Sequence, residues 1–185
     1  MLITVLGPDG SGKTTLAKKI EQQFYGVAYE YYGYNRESRK YRFFAGFINA
    51  DLNNKILRLL RKIIVYFNDL DLALSTRNRV VVSDRHPIDG YIGSTIYNKK
   101  ILNRYAQITL LLLPVPNFVV LLGGDPCEIH KRKQDLSVDL IAKANKIYAD
   151  FLTRKGIHFV SIDTIENDSD AVLDIATEHL LKIIP

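Results

Sequence analysis

A glycine-rich stretch near the start of the chain, LGPDGSGKTT, constrains the fold more than any other feature. It fits the pattern GxxxxGK followed by Ser or Thr, with Gly7, Gly12, Lys13 and Thr14 at the defining positions. The apolar run Leu2–Leu6 precedes it, and apolar residues at helical spacing follow it. A strand, a glycine-rich turn and a helix in this order are the setting in which the pattern indicates a phosphate-binding loop.

The residue types of this loop suit a chain of phosphates. Glycines allow the backbone to turn so that successive N–H groups point inward at phosphate oxygens. The helix that follows adds the positive end of its dipole. Lys13 can reach the β- and γ-phosphates, and the Thr14 hydroxyl can ligate Mg²⁺. The sequence therefore predicts binding of a nucleoside triphosphate, with ATP and Mg²⁺ expected.

Composition sets broad limits on the protein. The chain has 185 residues, nearly half of them apolar, so we expect one domain over residues 1–185. The net charge of +5 is spread out, which suits a polyanionic small ligand and also weak attraction to nucleic acid. The single cysteine, Cys127, allows no disulfide within the chain, and we predict it to be buried. The apolar run Ile108–Pro116 is too short to span a bilayer and no signal peptide is visible, so we expect a cytoplasmic protein without a membrane partner.

Short β-rich runs alternate with longer stretches of helical spacing, which predicts an α/β sheet with helices on both faces. Ligands of such sheets bind beyond the carboxyl ends of the strands. Leu52–Phe67 carries one apolar helical face, Gly156 is a predicted helix end, and Asp168 precedes a last helix over Val172–Ile184. The predicted strands are Leu2–Leu6, Val27–Tyr32, Val80–Ser83, Phe118–Leu122 and His158–Ile162.

A second motif, VVVSDRHPIDG, places Asp84 and Arg85 at the end of the third predicted strand. The carboxylate can serve Mg²⁺, directly or through water, and the guanidinium can bind an acceptor phosphate with two hydrogen bonds. The alternative is an exposed ion pair at a strand end, which is common on protein surfaces. Beside a phosphate-binding loop, the two charges favour a site that handles both a cation and an anion.

Other classes of P-loop protein fit the sequence less well. A guanine-binding NKxD motif is not present, since its nearest match, YNKKIL, lacks the aspartate. Transporter ATPases are longer and carry further signature segments. The short chain favours a kinase of small molecules.

GPDGSGKTTLAKKI together with VVVSDR resembles the thymidylate kinase-like family of nucleoside monophosphate kinases. The segment NFVVLLGGDPCEIHKRKQDLSVDLIAKANKIYADFL is similar to that family's fourth strand, lid and following helix. The chain differs from the family at His86, where tyrosine is usual, and at Gly123 and Gly124, where an acid is customary. The resemblance implies a three-layer P-loop fold, a parallel sheet in the order 2-3-1-4-5, and a lid over about residues 125–137.

The resemblance also implies roles for individual residues. Asp9 would face the acceptor's sugar hydroxyl, and Asp84 and Arg85 would serve Mg²⁺ and the acceptor phosphate. Arg132 would lie beside the adenine or the transferring phosphates as part of the lid, although the charged group around it also fits a solvated helix end. The nucleotide-binding loop would comprise Gly7, Asp9, Gly10, Ser11, Gly12, Lys13, Thr14 and Thr15.

The sequence defines the residues that would bind the acceptor less closely than those that would bind the nucleotide. The stretch YEYYGYNRESRKYRFF interleaves tyrosines with Arg36, Arg39 and Arg42, which could stack a base and hold a phosphate, or could line a sheet and a loop. We expect transfer of the γ-phosphoryl group of ATP to a nucleoside monophosphate, with dTMP as the leading acceptor. A sugar acceptor and an NTP-binding module with nucleic-acid affinity stay open, and the Leu52–Phe67 helix could form a homodimer.

Overall fold

The computed structural model describes residues 1–32 and 78–184, with nine further positions between residues 56 and 74. The described strands are β1 (Leu2–Leu6), β2 (Val27–Tyr31), β3 (Val80–Asp84), β4 (Phe118–Gly123) and β5 (Phe159–Asp163). All neighbouring strands pair in parallel, and their order is β2-β3-β1-β4-β5. The predicted fold class and strand order are therefore confirmed.

Strand β1 lies in the middle of the sheet because every one of its residues is apolar or small enough to be buried. All five positions are inaccessible to solvent. In the register of the sheet, Ile3 is paired with Val82 of β3 on one side and with Phe118 of β4 on the other. A strand buried on both faces needs this continuous apolar pattern. The carboxyl end of β1 therefore delivers Gly7 to the centre of the ligand-binding edge.

Two groups of helices cover the faces of the sheet and complete a three-layer structure. Helices α1 and α6 pack on one face through Ile20 and Leu180, and α2 and α5 pack on the other through Ile92 and Leu152. The helices of the described residues are α1 (Lys13–Gln23), α2 (Pro87–Ile96), α3 (Lys100–Leu112), α4 (Pro126–Arg132), α5 (Val138–Lys155) and α6 (Ser169–Leu180).

Helix ends follow the predicted capping residues. Gly156 ends α5 with φ 63°, the left-handed conformation that glycine adopts without steric cost. The Asp168 carboxylate accepts hydrogen bonds from the N–H groups of Asp170 and Ala171, so α6 begins where the sequence predicts. The last helix ends at Leu180, which is earlier than the predicted end at Ile184.

Several predictions concern the segment between β2 and β3, and much of that segment lies outside the described residues. Arg36, Arg39 and Arg42 lie there, so the arrangement of the tyrosine- and arginine-rich stretch stays a prediction. The described positions between residues 56 and 74 are helical, and the side chains of Leu60 and Ile63 are exposed. Burial in the core therefore does not explain this part of the apolar helical face.

The Cys127 side chain is exposed, so the prediction that it is buried was wrong. The residue lies in the first turn of α4, whose apolar contact is made by Ile129 instead. Among the described helices, none is both long enough and apolar enough to cross a bilayer.

Candidate active site

The phosphate-binding loop requires glycine at the point where it leaves β1. Gly7 has φ 142°, and a Cβ placed there would lie 2.2 Å from the carbonyl oxygen of Leu122 in the neighbouring strand. Gly10 has φ 94°, and its Cβ position is 3.1 Å from the carbonyl oxygen of Ile129 in α4. Both glycines therefore have a backbone conformation that residues with a Cβ disfavour. At both positions a neighbouring backbone oxygen also approaches closely.

Helix α1 begins without a side chain to cap it. Gly12 is the N-cap, with φ 87° and no side-chain hydrogen bond to the first turn. The first N–H groups of a helix have no acceptor within the helix itself. They and the positive end of the helix dipole are therefore available to an anion. The nearby Ser11 hydroxyl is buried and lacks a hydrogen-bond partner among the described residues.

Lys13 folds back over the loop that precedes it. Its Nζ donates hydrogen bonds to the carbonyl oxygens of Gly7 and Pro8, both at 2.8 Å, and to Asp9 Oδ1 at 3.2 Å. The side chain is only 6% exposed. The ammonium group is therefore held at the mouth of the loop, where the phosphates of a bound nucleotide would lie.

Thr14 and Asp84 meet at the carboxyl ends of β1 and β3. The Thr14 hydroxyl donates to Asp84 Oδ2 at 2.5 Å, and the Tyr29 hydroxyl is 3.5 Å from the same oxygen. Burial, together with the Asp84 charge, raises the pKa of Tyr29 to about 12, so this phenol stays protonated. Asp84 Oδ1 is buried and makes no hydrogen bond within the described part of the chain. A hydroxyl beside a carboxylate with an unused oxygen is a donor set that suits Mg²⁺.

Arg85 follows β3 with φ 74°, an uncommon conformation for a residue with a Cβ. Its guanidinium donates to Asp9 Oδ1 at 2.7 Å, the same oxygen that accepts from Lys13. Burial alone would raise the pKa of Asp9, but Lys13 and Arg85 outweigh it and hold that pKa below its usual value. Burial would lower the pKa of Arg85, but Asp9 and Asp89 raise it. The loop carboxylate thus bridges two cations from different elements.

His86 fixes the start of α2 as a neutral imidazole. Its Nδ1 accepts from the N–H of Ile88 at 3.3 Å, and its Nε2 lies 3.2 Å from the carbonyl oxygen of Pro114. An Nε2–H tautomer satisfies both contacts. The side chain is buried, and this desolvation lowers its pKa from 6.5 to about 4.

The lowered pKa of His86 predicts a loss of stability in acid. As the pH falls below 6.5, the unfolded imidazole takes up a proton, whereas the folded one stays neutral until about pH 4. The contribution of neutral His86 to the free energy of unfolding is therefore complete above pH 6.5 and is lost between pH 6.5 and pH 4. Between pH 7 and pH 5 we expect a loss of about 2 kcal/mol in the free energy of unfolding. Urea unfolding of the wild type and of His86→Asn, which keeps a capping side chain, checks this. Equal pH dependence of the two proteins would contradict it.

Neither Asp89 nor Tyr148 was among the site residues predicted from the sequence. Asp89 Oδ2 accepts from the N–H of His86 at 3.1 Å, and Oδ1 accepts from the Tyr148 hydroxyl at 2.5 Å. Burial raises the pKa of both groups. A capping pair three residues apart, His86 and Asp89, was visible in HPID. The bond to Tyr148 joins residues 59 positions apart and had no local signal.

Arg132 lies at the end of α4 and contacts the loop after β5. Its guanidinium donates to the carbonyl oxygen of Thr164 at 2.8 Å and lies 3.4 Å from the Thr164 hydroxyl. The next residue, Lys133, has its Cβ 3.1 Å from the position that a Cβ on Gly10 would take. The carboxyl end of α4 therefore lies against the phosphate-binding loop, and the role of Arg132 in a lid stays a prediction.

A cavity of about 690 Å³ is lined in part by His86 but by none of Lys13, Thr14, Asp84 and Arg85. Its walls come from α2, α3, the segment before β4 and the end of α5, and they include Tyr91, Leu110, Pro114 and Phe151. No residue of the phosphate-binding loop lines it. The loop and the carboxyl ends of β1 and β3, where Lys13, Thr14, Asp84 and Arg85 converge, are therefore the candidate active site.

A strand, a glycine loop and an uncapped helix bring a lysine and a threonine–aspartate pair to one edge of the sheet. This combination defines a P-loop nucleotide-binding protein. The chain belongs to the AAA domain family, whose model matches residues 2–167. No curated protein gives a significant match to the sequence.

Solved structures of kinases share the fold along nearly the whole chain. The thymidylate kinase of Candida albicans is 18% identical with a TM-score of 0.74, over 98% of this chain and 91% of that one. The deoxyadenosine kinase of M. mycoides with dCMP and dCDP bound is 16% identical with a TM-score of 0.67, over 99% and 100%. The same enzyme with dATP bound gives 16% and 0.67, over 97% and 99%. The predicted resemblance is confirmed for the fold.

Proposed function

We propose that the protein is an ATP- and Mg²⁺-dependent kinase that transfers the γ-phosphoryl group to a nucleoside monophosphate, with dTMP as the leading acceptor. One observation carries the proposal. Asp9 Oδ1 accepts from both Lys13, at 3.2 Å, and Arg85, at 2.7 Å. Lys13 belongs to the loop that would hold the donor, and Arg85 follows the strand beside it. A phosphoryl group passing between two anions needs positive charge from both sides, and these residues supply it.

Each of the remaining residues has a defined part in the proposal. The first N–H groups of α1 and the Lys13 ammonium would bind the β- and γ-phosphates. Thr14 and Asp84 would hold Mg²⁺, which when bound supplies positive charge to the phosphates. Arg85 would orient the acceptor phosphate, and Asp9, released from the two cations, would face the acceptor's sugar.

Positioning and charge dominate this chemistry, because the transition state of phosphoryl transfer is loose and needs little proton transfer. Arg132 would add a further cation when α4 closes over the donor, and closure would exclude water that otherwise hydrolyses ATP. In the structure Arg132 is bonded to the Thr164 carbonyl. On closure, Arg132 would therefore either exchange its hydrogen bond to Thr164 for one to the nucleotide, or keep that bond and contact the nucleotide from there.

The acceptor is the least defined part of the proposal, and the structural neighbours suggest which compounds to test. One of them is a thymidylate kinase, and another was solved with the products dCMP and dCDP. The panel is therefore dTMP, dCMP, dAMP and dGMP with the four deoxynucleosides alongside, each with MgATP. We expect equal amounts of ADP and nucleoside diphosphate from at least one monophosphate. ADP without a phosphorylated acceptor, at the rate measured with MgATP alone, would contradict the proposal.

The family match favours a second candidate, an NTP-binding or NTP-hydrolysing module, since the matching model is described as an AAA domain. A salt titration of single-stranded DNA binding separates the two, because affinity from phosphate contacts falls steeply with salt. A sugar acceptor is tested by adding monosaccharides to the same panel. A homodimer through the Leu52–Phe67 helix, and a cytoplasmic location, stay predictions.

A further inference from the structure

The backbone of Arg85 has an unfavourable conformation, so contacts with neighbouring residues must stabilise it. With φ 74°, the residue is in the left-handed region that a Cβ disfavours. The contacts immediately after it come from Asp89. The N–H of His86 donates to Asp89 Oδ2 at 3.1 Å, and the N–H of Asp89 donates to the carbonyl oxygen of His86 at 2.8 Å. Asp89 thereby fixes the residue next to Arg85.

The second oxygen of Asp89 is bound by a residue of the neighbouring helix α5. Tyr148 of α5 donates to Asp89 Oδ1 at 2.5 Å. The Tyr148 ring is buried in the same core cluster as Ile92 of α2 and Leu152 of α5. A ring enclosed in this way cannot move its hydroxyl without disturbing the packing. Both oxygens of the Asp89 carboxylate are therefore fixed, one by its own helix and one by α5.

The anchoring by Asp89 does not depend on the ion pair of Arg85 with Asp9. Unlike Asp9, which an incoming phosphate would displace from the guanidinium, Asp89 is tied by its two hydrogen bonds. It therefore holds the backbone that follows Arg85 whether or not Asp9 stays in place.

We propose that Asp89 and Tyr148 are positioning residues that hold Arg85 in the orientation for binding the acceptor phosphate. This inference rests on the proposed function, because it takes the phosphate-binding role of Arg85 as given. It extends that function to α5, the helix that begins just after the predicted lid. Removing the Tyr148 hydroxyl should therefore weaken binding of the acceptor rather than binding of the donor.

The variant Tyr148→Phe tests the inference, because it removes the hydroxyl and keeps the ring. We expect the Kd of the acceptor to rise about tenfold, equivalent to about 1.4 kcal/mol, and the Kd of MgATP to change less than twofold. Isothermal titration measures both, with dTMP, dCMP, dAMP and dGMP as acceptor probes. Tyr91→Phe is the matched control, since the Tyr91 ring packs on Phe151 and its hydroxyl makes no hydrogen bond in the described part of the chain.

Asp89→Asn is the second variant, because its single amide oxygen can accept from the N–H of His86 while its NH2 group cannot accept from the Tyr148 hydroxyl. We expect it to weaken acceptor binding selectively as well, and an unchanged acceptor Kd in this variant would also overturn the inference. An unchanged acceptor Kd in Tyr148→Phe, with normal binding in the wild type, would overturn this inference and leave the proposed function intact. Equal weakening of acceptor and MgATP would also overturn it, because that is the signature of a general packing role. If the wild type binds no monophosphate, the proposed function falls and the inference with it.

Discussion

Replacing Lys13 by alanine is expected to lower kcat at least about 1,000-fold, because the substitution removes a cation from the transferring phosphates. The structure adds a second effect. The ammonium bonds the carbonyl oxygens of Gly7 and Pro8, so its loss leaves two acceptors at the mouth of the loop without their donor. Steady-state kinetics with saturating MgATP and the best acceptor of the panel measures the loss.

Lys19→Ala is the matched control for this experiment. Lys19 lies on the same helix, but its ammonium pairs with Asp170 of α6, at 2.7 Å, on the surface. Exposed ion pairs contribute little, so we expect turnover within twofold of the wild type and little change in stability. Near-normal turnover in Lys13→Ala would refute the proposed role of the loop lysine, whatever the control shows.

Gly7→Ala is expected to have the largest effect on stability. The new Cβ would lie 2.2 Å from the Leu122 carbonyl oxygen and 2.8 Å from the Ser11 hydroxyl, and φ is 142°. A strained backbone of this kind costs about 1–3 kcal/mol, and forced overpacking costs a similar amount. We therefore expect the free energy of unfolding to fall by about 3 kcal/mol or more. Urea denaturation with and without MgATP measures both the stability and any loss of nucleotide binding.

Gly26→Ala separates the two contributions. Gly26 also has a positive φ, 83°, but a Cβ there would meet nothing within 4 Å. Strain without a collision should cost about 1 kcal/mol. If the two variants were equally destabilised, the approach of Leu122 to the loop would not be what requires glycine at position 7.

The strands were the part of the fold most accessible to sequence reasoning. The predicted bounds agree with the observed ones to within one residue, from the central strand Leu2–Leu6 to the edge strand Phe159–Asp163. The near-continuous apolar runs of β1, β3 and β4 have few other ways to be buried, and right-handed crossovers limit the orders in which strands can pair. Cys127 was misjudged because the first turn of α4 has a single inward-facing position, and Ile129 takes it.

The two motifs predicted which charged residues would come together, since the carboxyl ends of β1 and β3 meet at one edge. The structure joins Asp9 to both Lys13 and Arg85, and it joins Thr14 to Asp84. The roles of these residues stay predictions. The bond between Asp89 and Tyr148 could not be predicted in this way. It depends on how α2 and α5 pack against each other, and packing between distant helices leaves no spacing in the sequence.

The carboxylate shared by Lys13 and Arg85 has a consequence for selectivity. With Asp9 in place, the two cations already have a counter-ion, and a simple anion such as inorganic phosphate must displace it while offering few contacts of its own. In the proposed function a nucleotide would engage the loop amides, the lysine and the helix end at once, so it would compensate for releasing Asp9. The loop aspartate would thus compete with small anions for the two cations, and polyphosphate ligands would displace it.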